Sequence, residues 1–316
     1  MGRFLVTGGA GFIGSHIVER LLKEGNFVRV LDNFSSGKEK NLACTQGLPA
    51  TSYELIRADI RDVTACQAAC EGIEYVLHQA ALRSVPKSLA DPYAYNSVNI
   101  DGTLNMLKAA HTNGVKRFVL ASSSSVYGDT DSFPEKETDY PKLISPYALT
   151  KLAGEYYCRI FSTIYGLATV SLRYFNVFGP RQAVDDEYAV VIPKFITCMR
   201  KGEQPPIFGT GRQSRDFTYV DNVVEANILS ATTPGIQCEV FNVANGKDHS
   251  VLELMDTINK ILGLRIKPLF LDKRPGDVYR TLADVRRARQ MLGLRVKVDF
   301  VEGLKRTVEY FKNVSA

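Results

Sequence analysis

An apolar run from Arg3 to Thr7 stops at glycines in positions 8, 9, 11 and 14. Apolar residues then return every three or four positions, with Ile13, Ile17, Val18, Leu21 and Leu22 on one face. The first run reads as a strand and residues 12–24 as a helix. The alternation continues, predicting strands at 27–32, 53–58, 74–78, 116–122 and 168–174. Helices are predicted at 62–70, 92–113 and 146–165. This rhythm implies an α/β fold, a Rossmann-type doubly wound parallel sheet covered on both faces. Ligands should then lie beyond the strand C-termini. After residue 176 the rhythm breaks into Pro- and Gly-rich turns with shorter helices near 190–201, 221–232, 250–262 and 283–291. We read 1–175 as a cofactor-binding domain and 176–316 as a smaller C-terminal α/β substrate lobe. Segment 216–245 is a candidate to return to the main sheet.

Strand, glycine turn and helix opening together make a diphosphate site. The turn needs positive φ, the backbone must approach the anion, and the helix N-terminus offers free N–H groups and a positive dipole end. Gly8, Gly11 and Gly14, followed by Phe12 and Ile13 in the helix opening, fit that cradle. Asp32 ends the second strand, where a dinucleotide fold places an acid for the ribose hydroxyls. A 2′-phosphate would meet its charge, and Asn33 follows where a base would have argued for NADP. NAD is therefore the expected cofactor. Arg29 lies three positions before Asp32 and by alternation belongs to the other face.

Ser145-Pro-Tyr147-Ala-Leu-Thr-Lys151 opens a predicted helix, with proline suited to its first turn. Tyr147 and Lys151 are four apart and share a helix face. A nearby ammonium stabilises a phenolate, so the pair can work as a general acid and base. Ser122, Ser123, Ser124 and Ser125 stand at the end of a central strand, where one hydroxyl could bond a substrate oxygen beside Tyr147.

Composition narrows the setting. The net charge of +5 suits small anions and is too diffuse to argue for nucleic acid. No apolar run spans a membrane, the chain enters a strand at once without room for a signal peptide, and its six cysteines show no paired spacing. A soluble cytoplasmic protein is expected. No cluster has metal-ligand spacing, so no metal is expected.

The glycine turn, Asp32, Asp59-Ile60, His78-Gln-Ala-Ala81, Asn99, Ser123, Tyr147 and Lys151 together resemble the extended short-chain dehydrogenase/reductase family. Leu172-Arg-Tyr-Phe-Asn176, Arg215-Asp216, Tyr219-Val-Asp221 and Arg274-Pro-Gly-Asp277 resemble its nucleotide-sugar epimerase branch, which includes UDP-glucose and UDP-N-acetylglucosamine 4-epimerases. The resemblance implies that Asp59 and Ile60 touch adenine and that Gln79, Ala80, Ala81 and Asn99 belong to the cofactor site. Ser123, with Ser124 beside it, would meet the sugar at O4. Asn176, Arg215 and Arg274 would hold the UDP diphosphate, and guanidinium forks suit phosphate oxygens.

Dehydratases and decarboxylases of that family place an acid in the segment before Val-Tyr-Gly; none stands within 121–128, so the resemblance disfavours those chemistries and implies 4-epimerisation of a UDP-hexose. Tyr147 would take the C4 hydroxyl proton, with NAD bound throughout. Thr281 stands where the family carries a bulky aromatic in members that reject N-acetylated sugars, so both plain and acetylated hexoses are expected. Arg83 replaces the glycine usual in the N-acetyl-specific subgroup and could instead face a uronate carboxylate. A UDP-uronate 4-epimerase or another nucleotide-sugar oxidoreductase is the alternative, and a silent NAD sensor a third. His78 reads as structural or cofactor-lining, and His249 is left without a role. Apolar residues on several faces of 92–113 and 146–165 suggest a homodimer.

Overall fold

The computed structural model describes residues 1–183, 191–272 and 278–314. Its centre is a seven-stranded sheet of β1 (Arg3–Thr7), β2 (Phe27–Asp32), β3 (Tyr53–Arg57), β4 (Tyr75–His78), β5 (Arg117–Ser123), β6 (Ala168–Tyr174) and β7 (Cys238–Val243). The spatial order is β3-β2-β1-β4-β5-β6-β7, and every pairing is parallel. Parallel strands need crossovers, supplied by α1 (Phe12–Lys23), α2 (Val63–Cys70), α3 (Gly102–Thr112), α4 (Pro146–Tyr165) and, between β6 and β7, α5 (Val191–Arg200) and α6 (Val220–Thr232). The order reverses between β1 and β4, the crevice where such folds bind ligands.

The predicted strands and helices of the first half are present within a residue or two. The span 92–113 is not one uniform helix. It runs as Pro92–Tyr95, a π turn over Asn96–Asp101, and then α3. α4 follows its sequence signals closely. The Ser145 hydroxyl accepts the Ala148 N–H, Pro146 occupies the first turn, and Gly166 closes the helix at φ 74°.

Residues 220–243 lie with the main sheet, since α6 packs on α1 and β7 extends the sheet beside β6. The remainder of the chain after β6 is built on short ladders. Val177–Phe178 pairs with Thr218–Tyr219, Pro206–Phe208 with Leu269–Leu271, and Ser214–Arg215 with His249–Ser250. Three further helices complete it: α7 (Val251–Leu262), α8 (Arg286–Leu292) and α9 (Phe300–Val314). Gly303 lets α9 approach closely, because a Cβ there would lie 2.8 Å from the Tyr219 ring and 2.9 Å from Phe178.

Candidate active site

One cleft runs along the C-terminal ends of β1, β2, β4 and β5, from the glycine turn to the start of α4. Gly8 has φ +65°, and a Cβ on it would lie 2.8 Å from the Ala80 backbone nitrogen. Gly14 would press a Cβ to 2.2 Å from the Gly8 carbonyl oxygen, whereas Gly11 meets only that oxygen, at 3.1 Å. These glycines therefore keep the turn low and the cleft floor bare. Phe12, Ile13 and Gly14 open α1 along the same wall, and no side chain caps this helix. Its first N–H groups are the natural partners of a diphosphate.

Asp32 closes β2. Its Oδ2 accepts the Ala10 N–H at 2.8 Å and its Oδ1 the Phe34 N–H at 2.7 Å. Each carboxylate oxygen keeps a further lone pair for a ribose hydroxyl. Arg29 lies on the other face, where its guanidinium meets Glu54 at 2.7 Å and the Glu71 carbonyl at 2.7 Å. Asn33 donates to Asp59 at 2.7 Å, and Arg61 grips Asp59 through two nitrogens, holding it well below the usual carboxylate range. Ile60 lines the cleft and underlies Gly102, where a Cβ would lie 2.6 Å from it.

Gln79, Ala80 and Ala81 form a further wall of the cleft, against Gly8. Gln79 is fixed from afar, with Nε2 donating to Asn227 of α6 at 2.9 Å and Oε1 accepting the Tyr174 hydroxyl at 3.1 Å. Asn99 stands behind this wall. Its amide accepts the Leu82 N–H at 2.8 Å and donates to the Leu82 carbonyl at 3.0 Å and to Thr150 at 3.0 Å. The π turn thus pins the loop by its backbone. His78 is structural. Thr7 Oγ1 accepts the Ala80 N–H and lies 2.8 Å from His78 Nδ1, and Nε2 lies 3.1 Å from Thr103. Burial pushes this imidazole down to about 3, so it is neutral. His249 stacks on Phe300, with centroids 4.1 Å apart.

Tyr147 and Lys151 line the same cleft as Asp32 and Arg83. Lys151 Nζ donates to the Ala121 carbonyl at 2.8 Å, and burial pulls the ammonium down to about 8. The expectation that Lys151 brings the phenol toward neutrality is not met in the protein alone. The ammonium is directed to Ala121 and sits 5.9 Å from the Tyr147 ring centre. Burial raises the phenol, against smaller downward pulls from the Ser123 hydroxyl and the Arg83 charge.

The four serines divide as a strand end dictates. Ser122 lines the cleft and donates to Glu155, which holds Arg173 at 2.8 Å and 3.0 Å. Ser123 Oγ accepts the Ser125 N–H at 3.1 Å and also bonds the Ser125 hydroxyl. Ser124 begins the short 3-10 turn that follows.

The residues expected to hold substrate on the lobe form a second group. Asn176 Nδ2 donates to Thr281 Oγ1 at 3.0 Å. Arg215 Nη1 donates to the carbonyls of Ser214 at 2.8 Å and Tyr279 at 3.2 Å. Arg274 lies outside the described residues. Behind this group lie two carboxyl groups, Asp216, which the sequence showed only as part of a motif, and Glu135, which sequence reasoning missed. Asp216 is fully buried and accepts N–H bonds from Asn245, Gly246 and Ala283. Glu135 is 1% exposed and neither of its carboxyl oxygens has a hydrogen-bond partner among the described residues. Its place between Pro134 and the charged pair Lys136-Glu137 gave a sequence reader no sign of burial.

The glycine floor, the uncapped helix and Asp32 fit a bound NAD. The family described as "NAD dependent epimerase/dehydratase family" matches residues 4–244. A UDP-N-acetylglucosamine 4-epimerase from Methanobrevibacter ruminantium M1, solved with UDP-N-acetylmuramic acid, is 42% identical with a TM-score of 0.93, covering 99% of both chains. A UDP-glucuronic acid 4-epimerase from Bacillus cereus, solved with UDP-glucuronic acid and NAD, is 33% identical with a TM-score of 0.90, covering 98% of this chain and 99% of its own. A putative UDP-glucose 4-epimerase of Methanocaldococcus jannaschii is 38% identical over 311 residues, 98% of each chain. Among the described residues no helix is long and apolar enough to cross a membrane. The chain therefore belongs to the NAD-dependent epimerase/dehydratase family, with NAD as its cofactor.

Proposed function

We propose that this enzyme is a UDP-hexose 4-epimerase, acting on UDP-glucose and UDP-galactose and on their N-acetylated counterparts. The observation that carries the reading is the convergence of Tyr147 and Lys151 with the glycine turn and Asp32 in one cleft, with Ser123 beside the phenol. NAD, when bound, supplies the reversible oxidation at the sugar C4. Tyr147 takes the proton from O4 and returns it, and the Ser123 hydroxyl holds that oxygen in line. Lys151 places its ammonium in the same cleft as the phenol, 5.9 Å from the ring centre. Asp32 holds the adenosine ribose. Residues 1–175 carry NAD, and the lobe over 176–316 carries the nucleotide sugar. Asn176 and Arg215 hold the diphosphate, with Arg274 as a third group, so the sugar can turn while its tether stays fixed.

Arg83 favours a second reading. It lines the cleft, and its charge reaches Tyr147, where it could meet a C6 carboxylate. UDP-uronate is therefore the alternative substrate. The test is to incubate the purified protein, without added NAD, separately with UDP-galactose, UDP-N-acetylgalactosamine and UDP-galacturonate. Conversion of either of the first two to its 4-epimer supports the reading, and turnover of the uronate alone replaces it with the second. Tyr147→Phe should abolish turnover while UDP still binds, and full activity in that variant overturns the assignment.

We also propose a homodimer paired through α4, whose Leu149, Tyr156, Ile160 and Ile164 are 51%, 55%, 46% and 73% exposed. All six cysteines are unpaired, which suits the reducing cytoplasm we assign to it.

A further inference from the structure

Thr281 is built into the lobe more firmly than a residue that only leaves space for a sugar needs to be. Its N–H donates to the Ser214 carbonyl at 3.2 Å. Its Oγ1 accepts two hydrogen bonds, from the Asp216 N–H at 3.3 Å and from Asn176 Nδ2 at 3.0 Å. The buried Asp216 carboxyl group in turn accepts the Ala283 N–H, so the segment around Thr281 is anchored from both sides.

Asn176 is the strained partner. It follows β6 with φ +33°, in the left-handed region where asparagine is among the few non-glycine residues tolerated. Its carbonyl accepts the Thr218 N–H at 3.2 Å. The backbone is thereby fixed, and the remaining freedom is the rotation of the carboxamide. An amide offers a donor end and an acceptor end, and only its neighbours decide which way each faces. Here the donor end meets Thr281 Oγ1, which takes its N–H.

We infer that Thr281 is a positioning residue for Asn176: its hydroxyl fixes the carboxamide that meets the nucleotide diphosphate. This rests on the reading that Asn176 contacts UDP, and it assigns Thr281 a role that is independent of the sugar.

That independence makes it testable with UDP alone, which carries no hexose. The probe is UDP, titrated calorimetrically into the NAD-loaded protein. Thr281→Val keeps the shape and removes the hydroxyl, and it should weaken UDP about fivefold to tenfold, the size of one neutral hydrogen bond. Thr281→Ser restores the hydroxyl and should bring most of the affinity back. In an Asn176→Ala background Thr281→Val should have little further effect, because the group it positions is gone. The cycle also separates this effect from a general loosening of the lobe, which would weaken UDP equally in both backgrounds. Valine binding UDP as well as threonine, serine failing to rescue, or equal losses with and without the Asn176 amide would each overturn the inference alone. Failure of the wild-type protein to bind UDP would overturn the nucleotide-sugar reading and the inference with it.

Discussion

Lys151 donates from Nζ to the backbone carbonyl of Ala121 at 2.8 Å, which ties the first turns of α4 to the end of β5. The same contact holds the helix bearing Tyr147 to the strand bearing Ser123. Burial pulls the ammonium down to about 8, because a charge is less well solvated inside the cleft. Lys151 is therefore protonated below that value and loses its proton as pH rises through it. kcat/KM should fall on the alkaline side with a limb near pH 8. Lys151→Met, which cannot carry charge, should lose activity across the whole range. A wild-type profile flat to pH 10 would show that the charge on Lys151 is not needed.

Gly14 should be the least replaceable glycine of the turn. An added Cβ would sit 2.2 Å from the Gly8 carbonyl oxygen, and that backbone cannot swing aside as a side chain could. Gly14→Ala should force the turn open and release NAD during purification. The check is the cofactor recovered after denaturation, expected near one per wild-type chain and far less in the variant. Gly25→Ala is a useful contrast. A Cβ there meets nothing within 4 Å, so NAD content should stay, although its φ of +77° should lower stability.

Glu135 should make stability depend on pH. Burial, with Asp216 and Asp139 as charged neighbours and Arg215 opposing them, raises its carboxyl to about 8. An unfolded glutamate titrates near 4.3, roughly. Between those values the folded protein holds a proton that the unfolded chain has lost, so rising pH favours unfolding. This contribution is fully present below the unfolded value and lost as pH rises through about 8. Asp216, raised by burial to about 7, adds to the loss in the same direction. Glu135→Gln cannot ionise. Its denaturation midpoint should therefore gain on the wild type between pH 5.5 and 8.5, measured in matched buffers. Parallel curves for the two proteins would remove Glu135 from the account.

Much of the frame was legible because its signals are local. The glycine turn, Asp32 and the Ser145-Pro146 opening of α4 each act within a few residues, and the structure follows them. Alternation placed Arg29 away from Asp32 correctly for the same reason. α9 was not anticipated, since Gly303 interrupts a stripe whose Leu304, Val308 and Phe311 are buried. That glycine serves a tertiary contact with Tyr219 and Phe178, which no local rule reports. The short helix Val85–Ala90 was also missed, although Ser84 caps it and Pro86 stands in its first turn.

At the site, single residue types were legible and their partners were not. Tyr147 and Lys151 could be paired from their spacing, but the carbonyl that takes the ammonium lies 30 residues away. Gln79 meets Asn227 across 148 positions, and Asn176 meets Thr281 across 105. Such pairs are fixed by the sheet order and by the packing that brings distant segments together. The phenol's raised affinity for its proton is likewise a property of burial, which spacing does not reveal.

The central claim is that the hydrogen at the sugar C4 leaves and returns without meeting solvent, while Tyr147 exchanges only the O4 proton. The direct measurement uses UDP-galactose carrying deuterium at C4, incubated in ordinary water without added NAD and analysed by mass spectrometry and proton NMR. The 4-epimer is expected to keep its deuterium. Product with C4 deuterium replaced by solvent hydrogen would contradict it.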